Sequence, residues 1–309
     1  MKLSIVATLY ESSPYLNEFY QRARAVASEF AGEDLEIVLV NDGSPDDSLD
    51  KAVRLTGGDP RLVVVDLSRN FGHHKAMMTG LAHALGDYVF LIDSDLEEDP
   101  EWLAPFWTQL TGDAVDVVYG VQAARKGGWF ERWSGRLFYR MMPKLSGVSY
   151  PANMVTARLM TRRYVDALLR HEEREIDIGG LWEITGFAQA PHTVVKHSTS
   201  ETTYTFRHRV AVAVNSITSF SNVPLVLIFY VGITLFILAG AYALYVLVTW
   251  YFLARPVNGW TSLILSIWLL GALIISFLGI VAVYLAKIFS EVKRRPYTIV
   301  REIYGRNAS

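Results

Sequence analysis

Two carboxylates one residue apart, Asp93 and Asp95, are the groups in this chain best suited to chemistry. At the end of a strand, such a pair can bind one hard divalent cation and, through it, a diphosphate; oxygen ligands suit Mg2+ or Mn2+. The cation would neutralise charge developing on a departing diphosphate. Taken alone, Asp-x-Asp is a weak signal. Glu97, Glu98 and Asp99 follow at once, and an acidic run also reads as a solvated turn. Asp42, ahead of Gly43, has two readings as well: a ligand contact or an ordinary Asp-Gly turn residue. His73, His74 and Lys75 make a basic knot. Adjacent histidines rarely point the same way and a hard cation wants oxygen, so metal binding falls to the carboxylates.

These groups need a frame, and the hydrophobic pattern supplies one. Leu3–Leu9 is an apolar, β-branched run typical of a buried parallel strand. Ser13 and Pro14 open a helical stretch to about Phe30. Strands are expected at 35–40, 62–66 and 88–92, and helices at 48–55 and 75–85. This alternation predicts an α/β fold with a parallel sheet and right-handed crossovers. Asp42 then follows the second strand and Asp93 the fourth, at the carboxyl ends where open α/β sheets bind ligands. Neither a Walker loop nor a dinucleotide G-x-G-x-x-G follows the first strand, which speaks against a P-loop NTPase or a nicotinamide enzyme.

Of 309 residues, 51% are apolar and 19% charged, which excludes disorder for most of the chain. A net charge of -2 argues against nucleic acid as the main partner. There is no cysteine, so thiolate catalysis, zinc–thiolate sites and disulfides are excluded. The distribution is uneven. Val223–Leu253 contains no Asp, Glu, Lys or Arg, and a second uncharged run covers 256–286. Each exceeds the roughly 20 residues that cross a bilayer as a helix. Arg255, Pro256 and Gly259 break the runs into a hairpin, with Trp250, Tyr251 and Trp260 as interfacial anchors. Arg207 and Arg209 precede the hairpin; Lys287, Lys293, Arg294, Arg295, Arg301 and Arg306 follow it. Basic flanks stay cytoplasmic, which puts the N-terminal domain and the tail on the cytoplasmic side, the tail against anionic headgroups. The expected layout is a catalytic domain at 1–205, an amphipathic approach at 206–222, two transmembrane helices at 223–288 and a basic tail at 289–309. Residues 1–10 are too short and strand-like for a cleaved signal peptide.

As a set, the motifs resemble family 2 glycosyltransferases with their GT-A fold, in the membrane-anchored branch that glycosylates polyisoprenyl phosphates. The matching segments are Ile5-Val6-Ala7-Thr8-Leu9-Tyr10, Val40-Asn41-Asp42-Gly43-Ser44, Ser68-Arg69-Asn70-Phe71-Gly72-His73, Gly86-Asp87, Asp93-Ser94-Asp95-Leu96 with Pro100-Glu101, Gly180-Leu181-Trp182 with Gly186-Phe187, and 216–221 ahead of the first span. The resemblance covers nearly the whole chain. It implies that Tyr10 and Glu11 lie on the loop against the nucleotide base and that Asp42 hydrogen-bonds the base. It further implies that Asp93 contacts ribose or metal and that Asp95 ligates the metal between the phosphates. Arg125, Lys126, Arg132 and Arg136 fall where the family has its acceptor loop and interface helix. Arg can hold an acceptor phosphate bidentately, and the aromatic residues interleaved with these charges, Trp129 and Trp133 among them, fit a helix lying on lipid.

The chain also departs from the pattern. Where relatives carry Asp-x-Gly-Asp-Phe-Arg-Leu, one acid being a candidate catalytic base, residues 153–159 begin with Asn153 and have Thr156 at the second acidic position. A phosphate acceptor is mostly ionised near neutral pH and needs little base assistance. The late basic motif is replaced by His197 and 200–204, with Lys196 or His197 as the phosphate contact. The resulting expectation is an inverting glycosyltransferase, membrane-anchored and a homo-tetramer by analogy with relatives. It uses Mg2+ or Mn2+ to move a sugar from a nucleotide-sugar, a UDP-sugar first, to a polyisoprenyl phosphate at the cytoplasmic leaflet. The rivals are a transferase with another lipid or glycan acceptor and a non-catalytic nucleotide-binding scaffold.

Overall fold

A computed structural model describes residues 2–122, 153–174, 176–197, 218, 221–253 and 259–305. The elements, in chain order, are β1 (Leu3–Leu9), α1 (Leu16–Ala31), β2 (Leu35–Asn41), α2 (Ser48–Thr56), β3 (Leu62–Leu67), α3 (His73–His83) and β4 (Tyr88–Leu91). A 3-10 turn (Pro100–Trp102) leads into α4 (Leu103–Gly112), β5 (Val117–Gln122), β6 (Met154–Thr161), α5 (Arg162–Leu168), α6 (Ile178–Ile184) and β7 (Gln189–Val194). Two long helices, α7 (Val223–Leu253) and α8 (Trp260–Val292), precede a last strand, β8 (Val300–Tyr304).

The strands form one sheet in the order β7-β5-β6-β4-β1-β2-β3-β8. β1 pairs in parallel with β2 and β4, β2 with β3, and β5 with β7; among the described strands only β6 and β8 run against the rest. The expected α/β sheet is therefore present, and mostly parallel. Every residue of β1, β2 and β3 is buried, because helices cover both faces of these strands. Leu3, Ile5, Ala7 and Leu9 pack with Leu16, Phe19 and Ala23 of α1 and Phe106 of α4. On the other face α3 lies close. A Cβ on Gly80 would come within 2.5 Å of Val6 and 3.0 Å of Val40, so only glycine lets that helix approach.

After β1 the chain moves through β2 and β3 on one side, then returns to place β4 on the other side of β1. This reversal is a switch point, and it opens a crevice at the carboxyl ends of β1 and β4. Tyr10 follows β1 directly, and Asp93 lies just past β4.

The described residues divide into two units: the sheet with its helices, which 294–305 rejoin, and the pair α7 and α8. In the second unit, Val223–Tyr242 and Ser266–Val292 are long and apolar enough to cross a membrane, with mean hydropathy of 2.5 and 2.6. Phe229, Phe236, Trp268 and Leu278 are exposed among the described residues, as lipid-facing side chains of such helices would be. The Tyr284 hydroxyl donates to the Ser221 carbonyl at 2.7 Å. Arg125, Lys126, Arg132 and the turn residues Arg255 and Pro256 lie outside the described residues, as does nearly all of the expected approach segment at 206–222. Residues 300–304, read from sequence as part of a basic tail, instead form β8, antiparallel to β3. The charged pair Arg301-Glu302 in its middle suits an edge strand.

Candidate active site

The crevice is built from three loops. The first follows β1. Tyr10 is half exposed, its N–H held by Ser12 Oγ at 3.1 Å. Glu11 has φ 52°, a conformation a non-glycine keeps only where its surroundings fix it. Its N–H donates to Ser44 Oγ at 2.8 Å.

The second loop follows β2 and leans on the loop after β3. Gly43 has φ +61°, and a Cβ there would fall 2.4 Å from the Asn70 nitrogen, so glycine is required twice over. Asp42 is only 3% exposed. Its Oδ1 accepts the Phe71 N–H at 2.7 Å and its Oδ2 the Gly72 N–H at 3.0 Å. Burial pushes its pKa up against those two hydrogen bonds. Asp42 therefore clamps the 68–72 loop in place.

The third loop carries the Asp-x-Asp pair. Ser94 is structural: its Oγ donates to the Thr8 carbonyl at 2.7 Å and lies 2.9 Å from Ser12 Oγ. That bond ties the loop after β4 to the end of β1 and leaves Asp93 and Asp95 flanking the crevice. His73, the first residue of α3, bridges the two strands, with Nδ1 3.0 Å from Thr8 Oγ1 and Nε2 3.2 Å from Asp93 Oδ1. The second contact is an ion-pair distance without hydrogen-bond alignment, so Asp93 Oδ1, shut off from solvent, accepts no hydrogen bond. Burial raises the Asp93 pKa, but His73, Thr156 and Lys196 outweigh it and hold the carboxyl below its usual range. Asp95 gives Oδ1 to the Glu97 N–H at 3.0 Å. Burial and then the neighbouring Asp93 charge raise its pKa.

Behind this pair stands an acid that sequence reasoning passed over. Glu98 is fully buried. Its Oε1 accepts the Thr156 N–H at 3.0 Å, while Oε2 has no hydrogen-bond partner. Burial, with repulsion from Asp93, lifts its pKa to about 8. Nothing local distinguished it within the run of acids. Arg158 on β6 is also fully buried and lies against the Trp182 ring; burial lowers its pKa to about 9, partly opposed by the charges of Tyr164 and Glu98. Lys196, just past β7, reaches Glu97 Oε2 at 3.1 Å and Glu98 Oε1 at 3.8 Å. His197 Nε2 lies 3.0 Å from Asp99 Oδ2. The structure thus gathers Tyr10, Glu11, Asp42, Asp93, Asp95, Lys196 and His197 along one end of the sheet. It gives Lys196 and His197 carboxylate partners within the protein.

Among the described residues, no group of three or more His, Cys, Asp or Glu is placed to hold a metal by itself. A hard cation does not need one. Mg2+ and Mn2+ are commonly held by one or two carboxylates together with substrate phosphates and water. Asp93, held ionised and with Oδ1 facing only the His73 ring at 3.2 Å, fits that donor set together with Asp95.

Comparison with known proteins shows the family. The family model for glycosyl transferase family 2 matches residues 4–169, more than half of the 309. The chain belongs to that family and is a glycosyltransferase. A protein of Mycobacterium tuberculosis described as "Putative glycosyltransferases" is 52% identical over 99% of this chain and 89% of its own length. The SfII prophage-derived bactoprenol glucosyl transferase of Shigella flexneri is 29% identical over 99% of this chain and all of its own. Among solved structures, S. aureus TarS in complex with UDP-GlcNAc aligns with a TM-score of 0.46 and 17% identity, over 71% of this chain and 66% of that one.

Proposed function

We propose that this chain transfers a sugar, with inversion, from a nucleotide-sugar to a polyisoprenyl phosphate at the cytoplasmic leaflet, and that the donor is a UDP-sugar. The observation carrying this reading is the Asp93–Asp95 pair at the β1/β4 switch point, in a family 2 chain that continues into two membrane-length helices. Tyr10 and Glu11 border the base. Asp42 acts on the nucleotide side, through the backbone loop it clamps. Asp93 and Asp95 would hold Mg2+ or Mn2+, which supplies charge neutralisation on the leaving diphosphate. Full-length similarity to a bactoprenol glucosyl transferase supports the lipid acceptor. Arg125, Lys126 and Arg132 are the proposed contacts to its phosphate, with Lys196 and His197 available where a phosphate displaces Glu97 and Asp99 from them. A homo-tetramer with cytoplasmic catalytic domains completes the proposal.

No strong base is called for. The acceptor phosphate is ionised near neutral pH, and orientation toward the anomeric carbon supplies most of the acceleration. Asn153 and Thr156 at positions where relatives carry acids also favour a second reading, a different lipid or glycan acceptor. One experiment separates the two. Purified protein is incubated with polyisoprenyl phosphate, Mn2+ and a panel of labelled nucleotide-sugars, and the organic phase is counted. Label in a phosphate-linked lipid supports the first reading. Donor turnover without labelled lipid supports the second.

A further inference from the structure

The strand that follows the membrane-length helices lies far in sequence from the crevice, yet it is joined to it by an unbroken series of polar contacts. Arg301 on β8 donates from Nη1 to Asp66 Oδ2 at 3.2 Å and from Nη2 to the Ser68 carbonyl at 2.7 Å. The Asp66 side chain is 1% exposed, and a buried carboxylate requires charged or hydrogen-bonding partners. Its other oxygen accepts from Asn41 Nδ2 at 2.8 Å. Asn41 Oδ1 in turn accepts the Ser44 N–H at 3.3 Å. Ser44 Oγ accepts the Glu11 N–H at 2.8 Å and donates to Asp46 Oδ1 at 2.6 Å. The series therefore runs from β8 across the ends of β3 and β2 to the loop after β1.

Two further observations give it a purpose. Glu11 sits at φ 52°, so its loop depends on outside contacts to keep its shape. The residues leading into β8 are also fastened: the Ser68 N–H donates to the Ile299 carbonyl at 2.9 Å, and Thr298 Oγ1 lies 2.8 Å from Thr79 Oγ1 on α3. The segment 298–304 thus braces both the 68–72 loop clamped by Asp42 and the helix that begins with His73.

We propose that β8 is a working part of the donor face and that Arg301 is a positioning residue, setting the loop of Tyr10 and Glu11 through Asp66, Asn41 and Ser44. The role assigned to the loop rests on reading the crevice as the donor pocket; the bracing itself does not. The chain returning from the second long helix then has a direct hold on the groups that grip the nucleotide.

The test is amide hydrogen exchange on the full-length, ligand-free protein in detergent, comparing wild type with Arg301→Ala, Arg301→Lys and Ser44→Ala. Arg301→Ala should speed exchange at Glu11 and Ser44 by roughly tenfold while Val118 and Leu159, in β5 and β6, stay protected. Arg301→Lys should restore part of that protection, since an ammonium can reach Asp66 but not fork to Ser68 as well. Ser44→Ala should speed Glu11 exchange and leave Ile303 in β8 protected, which keeps the test valid if Arg301→Ala does not fold. For whichever donor the protein turns over, Arg301→Ala should raise KM roughly fivefold and leave kcat within about twofold. Unchanged exchange at Glu11 in either folded alanine variant, or uniform acceleration through the whole sheet, would overturn the proposal. A protein that turns over no donor would defeat the functional reading while the exchange result still decides the bracing.

Discussion

The strand-end acids of this sheet fall into two groups that look alike in sequence and behave differently in three dimensions. Beyond β2 and at the end of β3, Asp42 and Asp66 spend their oxygens on the protein: Asp42 on two backbone N–H groups, Asp66 on Asn41 and Arg301. Beyond β4, Asp93 keeps one oxygen without a hydrogen bond, and among the described residues Asp95 gives an oxygen only to a neighbouring N–H in its own loop. Buried carboxylates are normally satisfied. The half of the edge that departs from this rule is the half where chemistry belongs, and the satisfied half holds its loops in place.

Substitutions can break that contrast. Asp95→Ala should lower divalent-dependent sugar transfer by roughly 100-fold or more, with little change in denaturant midpoint, because only a local bond is lost; initial rates with and without Mn2+ are the check. Asp42→Asn should do the opposite. It places an amide NH2 against a backbone N–H and should cost about 1–3 kcal/mol in urea unfolding, with activity falling mainly through donor KM. A variant that is stable and dead at Asp42, or unstable at Asp95, would reverse the assignment of the two groups.

Glu98 sharpens the comparison through pH. Its folded pKa, raised by burial to about 8, lies above the ordinary 4.5. Its contribution to stability is therefore fully present below about pH 4.5 and is lost as pH rises through 8. Between pH 5 and 9, wild type should lose more stability than Glu98→Gln, by roughly a few kcal/mol. Parallel pH–stability curves would contradict the burial argument. The smallest effect is expected at His73, whose side chain is about half exposed. His73→Ala should lower kcat/KM by roughly tenfold or less, by removing the imidazole that lies against Asp93, with stability nearly unchanged.

The Asp93–Asp95 position was legible because an apolar β-branched run ends at it, and the order of strands and helices through β4 followed from the same pattern. The later strands were not legible. β6 carries Arg158 in its centre, a residue no burial pattern would place there. β7 contains Pro191, tolerated because the strand lies at the sheet edge. β8 is short and charged, a composition that in sequence does not differ from a basic tail. The start of α3 at His73 rather than Lys75 depends on Gly72 at φ 101°. Asp42 could be picked out as a strand-end acid. Its partners, though, come from Phe71 and Gly72 on another loop, and sequence spacing carries no information about such a bond.

The central claim is that the carboxylates closing β4 hold a divalent ion together with a nucleoside diphosphate. Electron paramagnetic resonance of free Mn2+, titrated against the protein with UDP or GDP, measures this directly. The account predicts one nucleotide-dependent Mn2+ per chain in wild type and none in Asp95→Ala. Equal Mn2+ uptake by both proteins, or full sugar transfer in excess EDTA, would contradict it.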